Sequence, residues 1–209
     1  MRNLKEEALI WFRLGGFVII WVAVLYTSGV GLSINWEAVK KLPEAVTIYV
    51  ILSLVFTTWL WKRPLFQGWL VPYPDLEGMW AGTLQSTWKH PETDQHKPPI
   101  AILLVIKQSF STISCVMYSK ESTSHSNAAQ LSKDDDTGAI KLTYNYTNRP
   151  RATVRDRSEI HDGAAILSFI RKPDRVLTGE YWTSRKTTGD LQVIFRSKKL
   201  EDGFPVDML

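Results

Sequence analysis

Apolar and polar positions divide this 209-residue chain into two unlike parts. Positions 14–36 hold 23 consecutive residues without a charge, and positions 45–61 hold 17. Runs of that length suit a bilayer hydrocarbon core, so the pattern predicts two N-terminal transmembrane α-helices within a 1–63 membrane region. Pro43 and Glu44 make a helix start for the second run, and Lys62 and Arg63 can carry their charges to the interface at its end. Trp11, Trp36, Trp59, Trp61 and Trp69 gather near the run ends, as interfacial aromatics do. Ala23, Thr27 and Gly31 in the first run, and Ser53 and Thr57 in the second, recur every four residues. Small residues at that spacing let helices approach closely, within one chain or between chains.

Acidic Glu6 and Glu7 precede the first run and no small-x-small site is followed by a plausible mature start, which favours a retained span over a signal peptide. Arg2, Lys5 and Arg13 before the first run and Lys62 and Arg63 after the second outnumber Lys40 and Lys41 between them. This imbalance predicts that both termini are cytoplasmic. Only Arg13, near an end, charges either span, so no ion pathway is expected within one protomer.

Beyond position 63 the pattern changes. Pro64, Pro72 and Pro74 mark a stiff connector over 64–75. From 76 to 209, eight short runs rich in β-branched and aromatic residues are separated by turn chemistry: 79–88, 100–108, 112–119, 122–131, 140–147, 164–171, 176–185 and 190–197. The fourth is weak. The fifth alternates cleanly, with Ile140, Leu142, Tyr144 and Tyr146 on one face and Lys141, Thr143, Asn145 and Thr147 on the other. Turns are expected at 133–138, 173–174 and 187–189, and a long basic loop at 148–163. Hairpin-linked strands without an amphipathic helix predict an all-β antiparallel eight-stranded meander closed into a small barrel, with a two-sheet sandwich as the alternative. Such a barrel holds either a packed core or one small ligand.

Composition narrows the chemistry. Positions 72–209 carry 18 basic and 17 acidic residues, a balance that excludes a general clamp for DNA or RNA polymers. An anionic ligand would have to be met by a few placed cations. The single cysteine, Cys115, excludes an intrachain disulfide, fits a reducing compartment, and sits in an apolar strand as a small hydrophobe. His90, His96, His125 and His161 lack metal-ligand spacing, and 134–138 lacks the alternation of a calcium loop. His161-Asp162-Gly163 reads as a turn. With no nucleophile and base at sensible positions, the expectation is a non-enzyme without metal or cofactor.

The segment GEYWTSRKTTGDL, 179–191, is more informative. On a continuous strand Tyr181, Thr183 and Arg185 share one face. A ring, a hydroxyl and a guanidinium in one row suit a phosphorylated, base-bearing ligand, while a solvated hairpin end with a packed tyrosine is the plainer alternative. A register slip by one residue would move the whole row outside the barrel.

Two predicted spans, a Pro-rich connector, PDLEGMWAGTLQSTW and an eight-strand domain ending in GEYWTSRKTTGDL stand here in one order. That ordered set resembles the SMODS-associated, two-transmembrane, β-strand-rich effectors of bacterial cyclic-oligonucleotide antiphage signalling (CBASS). The resemblance covers most of the chain. It implies a receptor in the bacterial inner membrane, whose cytoplasmic barrel, similar to the lipocalin and fatty-acid-binding folds, captures a cyclic dinucleotide made by a partner synthase. Binding would drive homo-oligomerisation and disruption of the lipid membrane, with death or growth arrest of the infected cell. The resemblance implies a ligand role for Tyr181, Thr183 and Arg185. Tyr144 and Tyr146 join them from the alternation, and Arg171 from its place near the end of a neighbouring strand. Gly78-x-Trp80 looks like the lipocalin first-strand signature, which implies a structural pairing of Trp80 with Arg196. A membrane-anchored lipocalin-like carrier of an apolar ligand, a scaffold with a filled barrel and, last, a tethered hydrolase are the rival readings.

Overall fold

The computed structural model describes residues 6–32, 35–68, 70–134 and 136–204. Arg2, Lys5, Trp69 and Asp135 lie outside the described residues. The chain forms two compact units, Arg2–Val71 and Pro72–Leu209.

In the first unit, α1 spans Glu6–Thr27, α2 Trp36–Lys40 and α3 Leu42–Thr58, followed by 3-10 turns at Leu60–Lys62 and Pro64–Phe66. The uncharged run 14–36 is therefore not one helix. It breaks after Thr27, where Gly29 and Gly31 take the left-handed conformation (φ 71° and 72°), so Gly31 does not continue the row of Ala23 and Thr27. Asn35 restarts the helix by accepting the Ala38 amide at 2.9 Å. Pro43 and Glu44 lie in the first turn of α3, as expected. Phe17 of α1 meets Tyr49 of α3 edge-on at 5.8 Å, and Gly16 admits the Tyr49 ring alongside. Thr27 and Thr57 turn their hydroxyls onto the carbonyls of Ala23 (3.0 Å) and Ser53 (2.7 Å), four residues back. Among the described residues no helix is long and apolar enough to cross a membrane, so the two expected spans do not follow from these helices by themselves.

The second unit is a closed antiparallel barrel in sequence order, β1 Gly78–Ser86, β2 Ile100–Gln108, β3 Ile113–Ser119, β4 Ser122–Lys133, β5 Ile140–Pro150, β6 His161–Ile170, β7 Val176–Thr183 and β8 Thr188–Ser197, with β8 returning to β1. Closure excludes the sandwich. The weak fourth run is a strand whose alternation changes phase. A bulge between Ser126 and Ala128 puts Ser124 inside before it and Ala129 and Leu131 inside after it. At the bulge Ser126 Oγ accepts the Cys115 amide at 2.9 Å in place of a ladder partner.

The run in β2 is apolar on both faces because both faces are covered. Ile102, Leu104 and Ile106 enter the core, while Leu103 and Val105 pack outside with Ala81, Tyr118 and the C-terminal Leu200 and Phe204. Gly82 and Gly179 sit where adjacent strands draw so close that a Cβ would run into the carbonyl oxygens of Gln192 and Ile166. The basic loop proves shorter than expected, 151–160, because β5 runs on to Pro150 and β6 starts at His161. His161-Asp162-Gly163 is strand, not turn, paired with Asn148, Thr147 and Tyr146.

Candidate functional site

Antiparallel order gives the barrel two chemically different ends. At one, the segment 74–76 is bound beneath the core. Gln108, buried, accepts the Leu76 amide (2.7 Å) and donates to the Pro74 carbonyl (3.1 Å), and the Trp80 indole donates to the Leu76 carbonyl (2.9 Å). Trp80 is fully buried and meets Phe195 and Phe169 edge-on at 5.3 and 6.2 Å. The guanidinium above these rings is that of Arg175, 5.2 Å from Trp80 and 4.2 Å from Phe195, which also donates to the Asp75 carbonyl. Partial burial lowers the Arg175 pKa, with Asp75 opposing and Arg171 reinforcing that shift. Arg196, expected to partner Trp80, is exposed: Phe195 takes the inward position on β8, so its neighbour points out. Replacing Arg175 by Ala should lower stability by about 1 kcal/mol, whereas Arg196→Ala should stay within about 0.5 kcal/mol in urea unfolding. Equal losses would return the pairing to Arg196.

The other end, the mouth, is bounded by the connections 87–99, 120–121, 151–160 and 184–187. Its inner wall is polar and aromatic. Ser86, Ser124, Asn148 and Thr183 are buried there, with Tyr146 and Tyr181 between them and Tyr144 deeper. Local hydrogen bonds fix the smaller groups. Ser124 donates to Asn148 Oδ1 (2.8 Å), Thr183 and Thr187 share a hydroxyl contact (2.6 Å), and Ser86 Oγ accepts the Trp88 amide (3.2 Å). Both mouth tyrosines lie over glycines of the next strand. A Cβ on Gly163 would meet Tyr146 Cζ at 2.5 Å, and one on Gly189 would meet Tyr181 Cε1 at 2.6 Å. The rings thus lie along the wall, where a side chain on the facing strand would displace them.

Burial dominates the electrostatics. It raises the Tyr144 phenol well above its ordinary pKa, with Cys115 and Tyr146 adding to the shift, and raises Tyr146 and Tyr181 as well. Arg185 pulls the latter two back down, so its charge reaches the mouth. The Cys115 thiol is pushed up to about 12 by burial alone and is inert at neutral pH. His161 stands on the inner rim, its Nδ1 donating to the Glu159 carbonyl (2.8 Å). Burial lowers its pKa, the Glu159 carbonyl and Asp162 oppose this, and Arg185 adds to it. Among the described residues no group of three His, Cys, Asp or Glu side chains is arranged to hold a metal.

The barrel coincides with a known domain. Residues 71–194 match the model of the Cap15 cyclic dinucleotide receptor domain, more than half of the chain. The chain belongs to this family. Across both units it is also 29% identical over 191 residues, 91% of this chain and 93% of the relative, to CD-NTase-associated protein 15 of Staphylococcus schleiferi. Membership in the Cap15 receptor-domain family bears out the resemblance to CBASS effectors.

Within this Cap15 domain the sequence-predicted residues separate. Tyr144, Tyr146, Tyr181 and Thr183 share the mouthward interior. Arg185 does not continue the strand row. β7 ends at Thr183, a turn with Lys186 in the left-handed conformation follows, and Arg185 sits exposed on the rim with Nη1 3.2 Å from Ser158 Oγ. Arg171 lies in the 171–175 connection at the Trp80 end, a barrel length from the others. Asn148, Ser124, His161 and Arg175 went unrecognised. Asn148 could have been found by carrying the Tyr144, Tyr146 alternation one step further. No sequence signal separates Arg175 from Arg171, since both border one turn.

Proposed function

We propose that this chain is a CBASS effector whose barrel binds a cyclic dinucleotide at its mouth, and that it acts by binding rather than by catalysis. One observation carries the reading: the Cap15 receptor-domain match falls on a barrel with Tyr146 and Tyr181 lying along the wall of the mouth and Arg185 on its rim. Aromatic faces hold bases and a guanidinium takes phosphate in two parallel hydrogen bonds. A carrier of purely apolar ligands would leave Ser86, Ser124, Asn148 and Thr183 facing hydrocarbon, at a cost for each polar group whose bonds were disturbed.

Ligand binding then favours an assembly of several chains. That requires the ligand to hold the assembling form more tightly than the free one. The N-terminal unit is the membrane element in this proposal. Ile10, Leu14, Val18, Ile19 and Val22 on α1, and Val46, Val50, Ile51, Leu52 and Leu54 on α3, are exposed to an extent that a lipid environment would reward. Assembly of these helices would disrupt the bacterial inner membrane, with both termini on the cytoplasmic side.

The test is thermal unfolding of the full-length protein in detergent against cyclic di-AMP, cyclic di-GMP and cyclic UMP–AMP. At a ligand concentration a hundred times Kd, linkage predicts about 2.7 kcal/mol of added stability. No rise with any of the three at millimolar concentration would refute the receptor reading.

A further inference from the structure

Among the described residues, Tyr144 Oη is the buried side-chain polar atom without a hydrogen-bond partner. The residue is 2% exposed and faces the barrel interior in the middle of β5. Such an orphan is costly, and it stands out beside the satisfied hydroxyls of Ser86, Ser124 and Thr183. Its surroundings are small. The cross-strand neighbours of Tyr144 are Ala129 and Ala165, and those of Tyr146 nearer the mouth are Ser126 and Gly163. Gly179 and Gly189 continue this on β7 and β8.

The same wall carries no charge. Among the described residues, from Leu84 and Ser86 on β1 round to Gly189 and Leu191 on β8, the buried residues facing the interior are aliphatic, aromatic, hydroxyl or amide, apart from the neutral thiol of Cys115. Burying a phosphate among them would leave an ion without a counter-charge, whereas a neutral nucleobase meets no such penalty. At the rim Arg185 is exposed, and His161, half-buried, is shifted by burial toward its neutral form.

We infer that a cyclic dinucleotide enters base-first, its phosphates held at the rim by Arg185, and that Tyr144 is a specificity-determining residue whose hydroxyl reads the edge of the inserted base. This rests on the receptor reading and adds to it an orientation and a discriminating atom. The phenol stays protonated at all physiological pH values, so it can donate to a ring nitrogen or carbonyl and accept from an amino group. A base lacking the matching group would leave both partners desolvated and unpaired.

Calorimetric titration of full-length wild type and Tyr144→Phe, in detergent, with cyclic di-AMP, cyclic di-GMP and cyclic UMP–AMP tests this. Phe keeps the ring and removes only the orphan atom. The ligand-free variant should melt at or above the wild-type temperature, while its affinity for the best wild-type ligand falls roughly five- to hundredfold and the preference among the three narrows. Unchanged affinities and preference would overturn the inference and leave the receptor reading standing. An equal loss for all three would assign the hydroxyl to sugar or phosphate and also overturn it, as would a lower melting temperature of the free variant, which would mean that the hydroxyl is already satisfied. If wild type binds none of the three, the receptor reading and this inference fall together.

Discussion

Trp80→Ala should destabilise the barrel by about 3–5 kcal/mol, the cost of removing a large, fully buried aromatic side chain. Four contacts go with the ring: its edge-on neighbours Phe195 and Phe169, the Arg175 guanidinium, and the indole bond that holds the Leu76 carbonyl. The last loss matters beyond its own magnitude, because the Leu76 amide is held by Gln108 from the other side. A melting temperature lower by roughly 10–20 °C is expected in calorimetry of the full-length protein. Trp80→Phe should recover part of the packing and none of the hydrogen bond. A drop of only a few degrees for Trp80→Ala would mean that the ring is not what closes this end.

Arg185→Ala should have the largest effect on ligand response. A charge-assisted bond to phosphate is worth more than a neutral one, so affinity for every cyclic dinucleotide that binds should fall roughly ten- to hundredfold. Stability of the free protein should hardly change, since the guanidinium is exposed and its contact in the structure is Ser158 Oγ at 3.2 Å. Raising salt should weaken wild-type binding more than that of the variant, because the lost term is a screened charge. Binding by Arg185→Ala that matches wild type in strength and salt dependence would remove this residue from the site.

Strand number and most boundaries could be read from sequence because most barrel strands have one wet and one dry face. Ile140 to Tyr146 displays this directly, and its four apolar positions all face inward. Where the alternation fails, a local cause exists. A bulge reverses the phase of β4, and Leu200 and Phe204 dry the outer face of β2. Inward positions at the candidate site were legible to the same degree. Tyr144, Tyr146, Tyr181 and Thr183 follow from parity within strands. Arg185 lies past the point where a turn suspends parity, and alternation alone does not say which barrel end the strand before Arg171 reaches. The lipocalin-like first-strand signature implies Arg196 in the last strand, but the inward place belongs to Phe195 and the cation comes from Arg175, a residue before β7. The uncharged run 14–36 and the helix α1 differ in extent for another reason. Absence of charge marks what a segment tolerates around it, whereas Gly29 and Gly31 decide where the helix stops.

The chain enters the barrel beside Trp80 and leaves it there too, for Met79 of β1 pairs with Ser197 at the end of β8. Both attachments therefore lie at the end away from the mouth. Insertions in the connections 87–99 and 151–160 can reshape the opening without disturbing the seam between first and last strands, and lengthening a surface loop costs little. This architecture separates the residues that close the barrel from the loops that frame its mouth, so the opening can be reshaped while the closure stays as it is.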